Sequence, residues 1–336
     1  MKSRLLRILL LLLLVSASLY SQGNIEKYNS SASELKTWIS YLSSDEMKGR
    51  QNGSPEMKEA AEWIAQKFID FDIQPAYQDG QLIRPYAFHT RRGNAIEERN
   101  IVGILEGSNP DLKDQFIIIS AHFDHVGIRE AVDGDSIYNG ADDNAAGTCT
   151  LLGVAKAIKE NQYKPGRTLL FASVSGEEMG LFGSRHLASE MPLPLSRAYA
   201  NINFEMTGHS EYLGRNNYYM TGCDFSNLDE VILALIQGQE HHLIDTISGA
   251  NRLFFMSDNI AFSRIEREGD VSRGIPSGTF ATTTFGEHIH TPWDEASLFD
   301  FENMAGLVDH FAAMIIGLSH SDQDIVWTNP RFQRIE

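Results

Sequence analysis

The chain has 336 residues, 42% of them hydrophobic and 10% aromatic, a composition that packs a core and excludes wholesale disorder. It carries 28 Lys and Arg against 45 Asp and Glu, and a formal charge of −17 argues against electrostatically driven binding to DNA or RNA. Two cysteines exclude a disulfide framework and a multi-cysteine zinc module.

In chain order, the first segment reads as an address. Lys2, Arg4 and Arg7 precede an apolar run over 8–15, and small residues follow at Ser16, Ala17, Ser18 and Ser21. This is the layout of a secretory signal peptide, far short of the ~20 apolar residues that span a bilayer. Cleavage near Ser21 is expected. It gives a leader over 1–21 and a single exported domain over 22–336, periplasmic or extracellular, with no membrane span and a net charge of −20 once Lys2, Arg4 and Arg7 are gone.

Leu35, Trp38, Ile39 and Leu42 have helical spacing, as do Ala60, Ala61, Ile64 and Phe68, so 33–71 reads as two helices joined by a turn-rich stretch at 45–53. Residues 100–105 and 115–120 read as strands. A helix is expected over 144–159, a strand over 168–174 and a short helix over 181–190. Strands follow over 198–204 and 217–221, a helix over 228–237, a strand over 279–285 and a closing helix over 301–318. The alternation predicts an α/β three-layer sandwich: a central mixed, largely parallel sheet flanked by helices. An N-terminal helical segment (33–71) leads into a core over about 100–320 and a short polar tail.

Ligands of such sheets lie beyond the carboxyl ends of the strands. Four expected strand ends are followed by His122-Phe123-Asp124, Glu177-Glu178, Glu205-Met206-Thr207 and His288-Ile289-His290. Asp142 and Asp143 sit on a Gly-bearing turn at a helix start, where capping would need only one of them. Paired carboxylates repel unless a cation lies between them. One of two adjacent Glu residues can ligate while the other stays free as a general base. His and carboxylates without Cys suit catalytic zinc or a similar divalent ion.

His-x-Asp at 122–124, Gly-Ala-Asp-Asp-Asn at 140–144, Gly-Glu-Glu-x-Gly at 176–180, the strand-end carboxylate Glu205 and His-Thr-Pro-x-Asp at 290–294 occur in that order. In combination they resemble the co-catalytic di-zinc exopeptidases, metallopeptidase family 28, typified by secreted bacterial aminopeptidases; the resemblance runs from about 33 to 318. It implies the zinc-exopeptidase fold and two zinc ions, other divalent ions being alternatives. His122 and Glu205 would ligate one ion, Glu178 and His290 the other, with Asp143 bridging. It implies Glu177 as general base and Asp124 as the orienter of His122; a similar orienting role for Asp294 is extended from its proximity to His290. The substrate implied is a peptide with a free N-terminus.

The chain departs from the family pattern in two places. Many relatives have Asp where Glu205 stands, and His where Asn259 stands, which puts a substrate-facing role for Asn259 in doubt. The stretch 50–115 is too short for the inserted protease-associated domain of some relatives. Competing readings are a carboxypeptidase or dipeptidase using Arg252 or Arg264, a one-zinc glutaminyl cyclase, and a catalytically dead exported binding protein. Phe254, Phe255, Met256, Phe262 and Phe285 read as core before pocket. His125, His186, His209, His241 and His242 read as structural or surface residues, and His288 as a poorer ligand than His290. The charge run 264–273 reads as a solvated loop, and Cys149 and Cys223 as packed thiols.

Overall fold

The computed structural model describes residues 30–329 and 332, apart from 245–246, 248, 266–273, 284–285 and 287. The leader-like segment, most of the charge run and Phe285 therefore lie outside the described residues. Among the described residues, no helix is long and apolar enough to cross a membrane.

Helix α1 (Ala32–Leu42) starts where the Ser31 side chain accepts the Glu34 N–H, and α2 (Pro55–Asp70) where Ser54 accepts that of Met57, with Pro at its first turn. Between them a tight 3₁₀ turn, Asp45–Arg50, puts Lys48, Gly49 and Arg50 at positive φ. The strands are β1 (Gln74–Pro75), β2 (Ile83–His89), β3 (Ala95–Leu105), β4 (Phe116–His122), β5 (Gly127–Val132), β6 (Asp135–Tyr138), β7 (Thr168–Val174), β8 (Ala198–Phe204), β9 (Asn217–Met220), β10 (His242–Ile244) and β11 (Ser277–Ala281). The other helices are α3 (Gly147–Glu160), α4 (Phe182–Ser189), α5 (Leu228–Leu235), α6 (Ala250–Phe254), α7 (Asn259–Ser263) and α8 (Phe301–His320).

The main sheet runs β1-β3-β7-β4-β8-β11-β9-β10, with β2 also on β3. β7, β4, β8 and β11 are mutually parallel; β3 pairs antiparallel with β7, and β9 with β11. Every residue of β4 and β7 is buried, because both faces are covered. Ile117, Ile119 and Ala121 of β4 pack in one core with α1, α2, α3 and α8. The alternate residues Phe116 and Ile118 pack in a second with Leu187 of α4 and Phe262 of α7. The three layers follow from this period-2 alternation.

The expected strands and helices are present, with three differences. β3 contains the strand expected over 100–105 but starts at Ala95, whereas β1, its hairpin partner β2, the small sheet β5–β6, the short β10 and helices α6 and α7 were not expected. Pro85 sits in β2, which pairs only with β3; proline belongs at such an edge and masks the strand signal. Helix α3 begins at Gly147 rather than 144, because Asp143 and Asn144 leave helical geometry and the Asn144 side chain caps the Gly147 N–H instead. β11 ends at Ala281, short of the expected 285. Among the described residues Cys149 and Cys223 form no disulfide; the Cys223 thiol donates to the Met220 carbonyl at 3.3 Å, and burial pushes the Cys149 thiol up.

Candidate metal centre

β7, β4 and β8 lie side by side and point the same way, so the residues that leave their carboxyl ends meet at one edge of the sheet. His122 ends β4, fully buried. Its Nδ1 lies 3.2 Å from the Asp124 main-chain oxygen and 3.6 Å from Asp124 Oδ1, and its Nε2 3.4 Å from Asp143 Oδ1. Glu205 follows β8, where the Ser257 hydroxyl donates to its Oε2.

Asp143 sits on the wide turn Ala141–Ala146, entered through Gly140 at φ +60°. Any Cβ at Gly140 would overlap the His125 ring and the Asp143 carbonyl. On the far side of Asp143, His290 Nε2 lies 3.1 Å from its Oδ2 and 2.9 Å from Glu178 Oε1. The side chains fall into two donor groups, His122–Asp143–Glu205 and His125–Asp143–Glu178–His290, in each of which one ligand atom per residue lies within 4.8 Å of the others. Asp143 is common to both. Glu177 belongs to neither.

Asp124 does more than face His122. Its two oxygens accept the N–H groups of Glu177 and Glu178, each at 3.2 Å, and the Asn52 amide at 2.7 Å. Asp294 does not orient His290 as expected from proximity. Its carboxylate accepts the N–H groups of Asp142 at 2.7 Å and Asp143 at 3.0 Å, clamping the turn that carries the shared carboxylate.

His125, which reads as a structural or surface residue in the sequence, is brought to the second donor group. It is buried, and its Nδ1 lies 3.1 Å from Glu178 Oε1 and 3.8 Å from Asp143 Oδ2 without making a hydrogen bond. Its position three residues past a His that ends a strand was the available signal. Arg50 was missed as well. Its fully buried guanidinium donates to the carbonyls of Phe123 (2.7 Å), Asn139 (2.8 Å), Gly140 (2.7 Å) and Leu42. It thereby ties the loop after β4 to the Gly140 turn.

Other candidates fall outside the groups. Phe254 and Phe262 are core residues, Met256 is exposed, and Asn259 is fully buried, accepting the Thr279 hydroxyl at 2.8 Å and donating to the Phe254 carbonyl at 3.1 Å. Asn259 thus joins α7 to β11. His186 stacks on Tyr86, and His241 on His310.

Burial pushes the Glu205 carboxyl up to about 8, with Asp143 adding to the shift and His122 opposing it. Burial likewise holds Glu177 well above the carboxylate range, against the pull of His122 and with the push of Glu178 and Glu205. Burial works against ionisation of Asp143, but the contacts with His122 and His290 outweigh it and keep that carboxyl well below its usual range. Contacts with Asp143 and then Glu178 raise His290 to about 10.

Four carboxyls converge here, and the raised Glu177 and Glu205 show what it costs to ionise them together without a cation between them. Among the described residues, the buried His122 Nε2 has no hydrogen-bond partner. Imidazole and carboxylate donors without thiolate suit zinc or a like divalent ion. The residues present fit such ions.

Known proteins resemble this chain in sequence or in fold. A leucine aminopeptidase 1 from Trichophyton equinum is 24% identical over 273 residues, 77% of this chain and 66% of that relative's length, so the chain spans about two thirds of it. A zinc aminopeptidase from Bacillus subtilis superposes with a TM-score of 0.60 at 17% identity, covering 86% of this chain and 96% of its own. A glutaminyl cyclase from Porphyromonas gingivalis superposes with a TM-score of 0.65 at 18% identity, covering 86% and 98%. Residues 100–315 match the sequence profile of peptidase family M28. With all five motif segments inside that match, the chain belongs to peptidase family M28.

Proposed function

We propose that this chain is a zinc-dependent exopeptidase, an aminopeptidase that works with two zinc ions and releases N-terminal residues from peptides. The reading is carried by one observation: Asp143 is common to two donor groups, while Glu177 stands beside them and outside both. His122 and Glu205 would hold one ion, Glu178 and His290 the other, and Asp143 both. His125 is a positioning residue beside Glu178. Residues 22–336 form the catalytic domain, and the leader-like 1–21 supports export to the periplasm or beyond the cell.

Bound there, divalent ions supply Lewis acidity that brings a water within reach of deprotonation near neutral pH and polarises the scissile carbonyl. Glu177 takes the proton of the attacking water and passes a proton to the leaving amine. Asp124 holds Glu177 and Glu178 in register through their N–H groups, so base and ligand are set by one carboxylate. The carboxylate-rich mouth suits a cationic α-amino group.

Glu177→Gln keeps the shape and removes the base. Turnover of an aminoacyl anilide falls about 10²–10⁴-fold while zinc content stays at the wild-type level. Near-wild-type turnover would overturn the base assignment. A second reading, glutaminyl cyclisation, is favoured by the superposition on the Porphyromonas gingivalis protein. One zinc per chain, with cyclisation of N-terminal glutaminyl peptides and no anilide hydrolysis, would replace the first reading by the second.

A further inference from the structure

Three more donors converge beside the two groups. A carboxylate oxygen of Asp142 and a ring nitrogen each of His209 and His288 lie within 4.8 Å of one another. Asp142 is fully buried and His209 is 7% exposed. Asp142 Oδ1 accepts the Gly208 N–H at 2.9 Å, and Oδ2 lies 3.4 Å from His288 Nε2, long for a charge-assisted hydrogen bond. The two imidazoles lie 4.7 Å apart between centroids, their planes tilted by 50°.

His209 is the discordant member. Its Nε2 is buried and, among the described residues, has no hydrogen-bond partner. An orphaned buried ring nitrogen is costly. An Asp142–His288 ion pair accounts for two of the residues, and the edge-on packing of the His209 ring on Phe299 still leaves its Nε2 with no hydrogen-bond partner among the described residues. A cation accounts for all three. Two imidazoles and a carboxylate are an ordinary zinc set, with a fourth position left for solvent.

We infer that Asp142, His209 and His288 form a third divalent-metal site, for zinc or a like late first-row ion, separate from the two groups that share Asp143. Its ligands come from the 141–146 turn, the loop after β8 and the loop ahead of His290. Those segments also carry Asp143, Glu205 and His290, so an ion here cross-links the three supports of the main centre. Its role is structural, and it goes beyond the peptidase reading.

Full-length wild-type and His209→Gln chains are equilibrated with graded free zinc, and bound zinc per chain is counted by mass spectrometry. At saturation the wild type holds one ion more than the variant, whatever the number at the main centre, and added zinc raises its Tm further. Equal contents overturn the site. Anomalous diffraction at the zinc edge from wild-type crystals decides the matter if the variant does not fold. A peak among Asp142, His209 and His288 is expected; its absence while zinc fills the groups around Asp143 refutes the inference. The peptidase reading fails separately, by loss of chelator-sensitive hydrolysis in zinc-loaded chain.

Discussion

Asp142 and Asp143 are chain neighbours whose carboxylates serve different places: Asp143 faces His122 and His290, Asp142 faces Gly208 and His288. A single carboxylate, Asp294, takes both of their N–H groups. Arg50 hydrogen-bonds the entry to the same turn through the Asn139 and Gly140 carbonyls; burial disfavours its charge, and the Asp294, Asp124 and Asp143 carboxylates favour it. Arg50→Met strips buried carbonyls of their donor. It should destabilise the fold by about 3 kcal/mol or more, read as a lower urea midpoint; an unchanged midpoint would show that the guanidinium carries no such share. His122, Asp143, Glu178, Glu205 and His290, which the structure brings together, stood out in the sequence by residue type and by place, after a strand or at a helix start. Arg50 did not, because its hydrogen-bond partners are backbone atoms, which leave no pattern in the sequence.

Helix α8 places His310 against the sheet, where the ring nitrogen Nε2 meets the Tyr218 hydroxyl at 2.9 Å. Burial, and then His241 and His242 from the β10 segment, lower its pKa from 6.5 to about 3. The sign follows from proton counting. Above about 6.5 the ring is neutral in both folded and unfolded chains; below it the unfolded chain takes a proton that the folded one refuses. The stability present above about 6.5 is therefore lost as pH falls toward 3, at up to roughly 1.4 kcal/mol per pH unit. His310→Gln should flatten the acid limb of the stability curve by one proton, measured by urea unfolding at several pH values from about 6.5 to 5. An unaltered slope would place the acid sensitivity elsewhere. Elements of this kind, buried on one long face or on both, were read from their periodicity. Edge elements escaped: β2 carries Pro85, β10 has three residues, and β5 is largely exposed, so none offers a burial pattern strong enough to compete with a loop.

At the scale of the whole molecule, the sheet order is what makes a centre out of separated motifs. The rule that ligands lie beyond strand ends told where to look, but adjacency of β7, β4 and β8 could not be read from the sequence, since it depends on pairings distant in the chain. His122, Asp143, Glu178, Glu205 and His290 come from five different segments, so ions held there would stitch the fold together. Exhaustive chelation should lower Tm by more than about 5 °C, recovered on adding zinc, because ions that bind only the folded chain stabilise it. A Tm indifferent to chelator would mean that the segments hold one another without metal. The same sheet order governs how the chain is made. β11 lies between β8 and β9 in space but follows both in sequence. A chain emerging from the ribosome has an open β8 edge, and a β9–β10 pair with nothing to join, until 277–281 appears. His122, Asp143 and Glu205 are already synthesised by then, whereas His290 is not. Synthesis thus passes through an interval in which the two donor groups are incomplete and a parallel strand edge is unpaired, the interval in which the nascent chain is most exposed to mispairing.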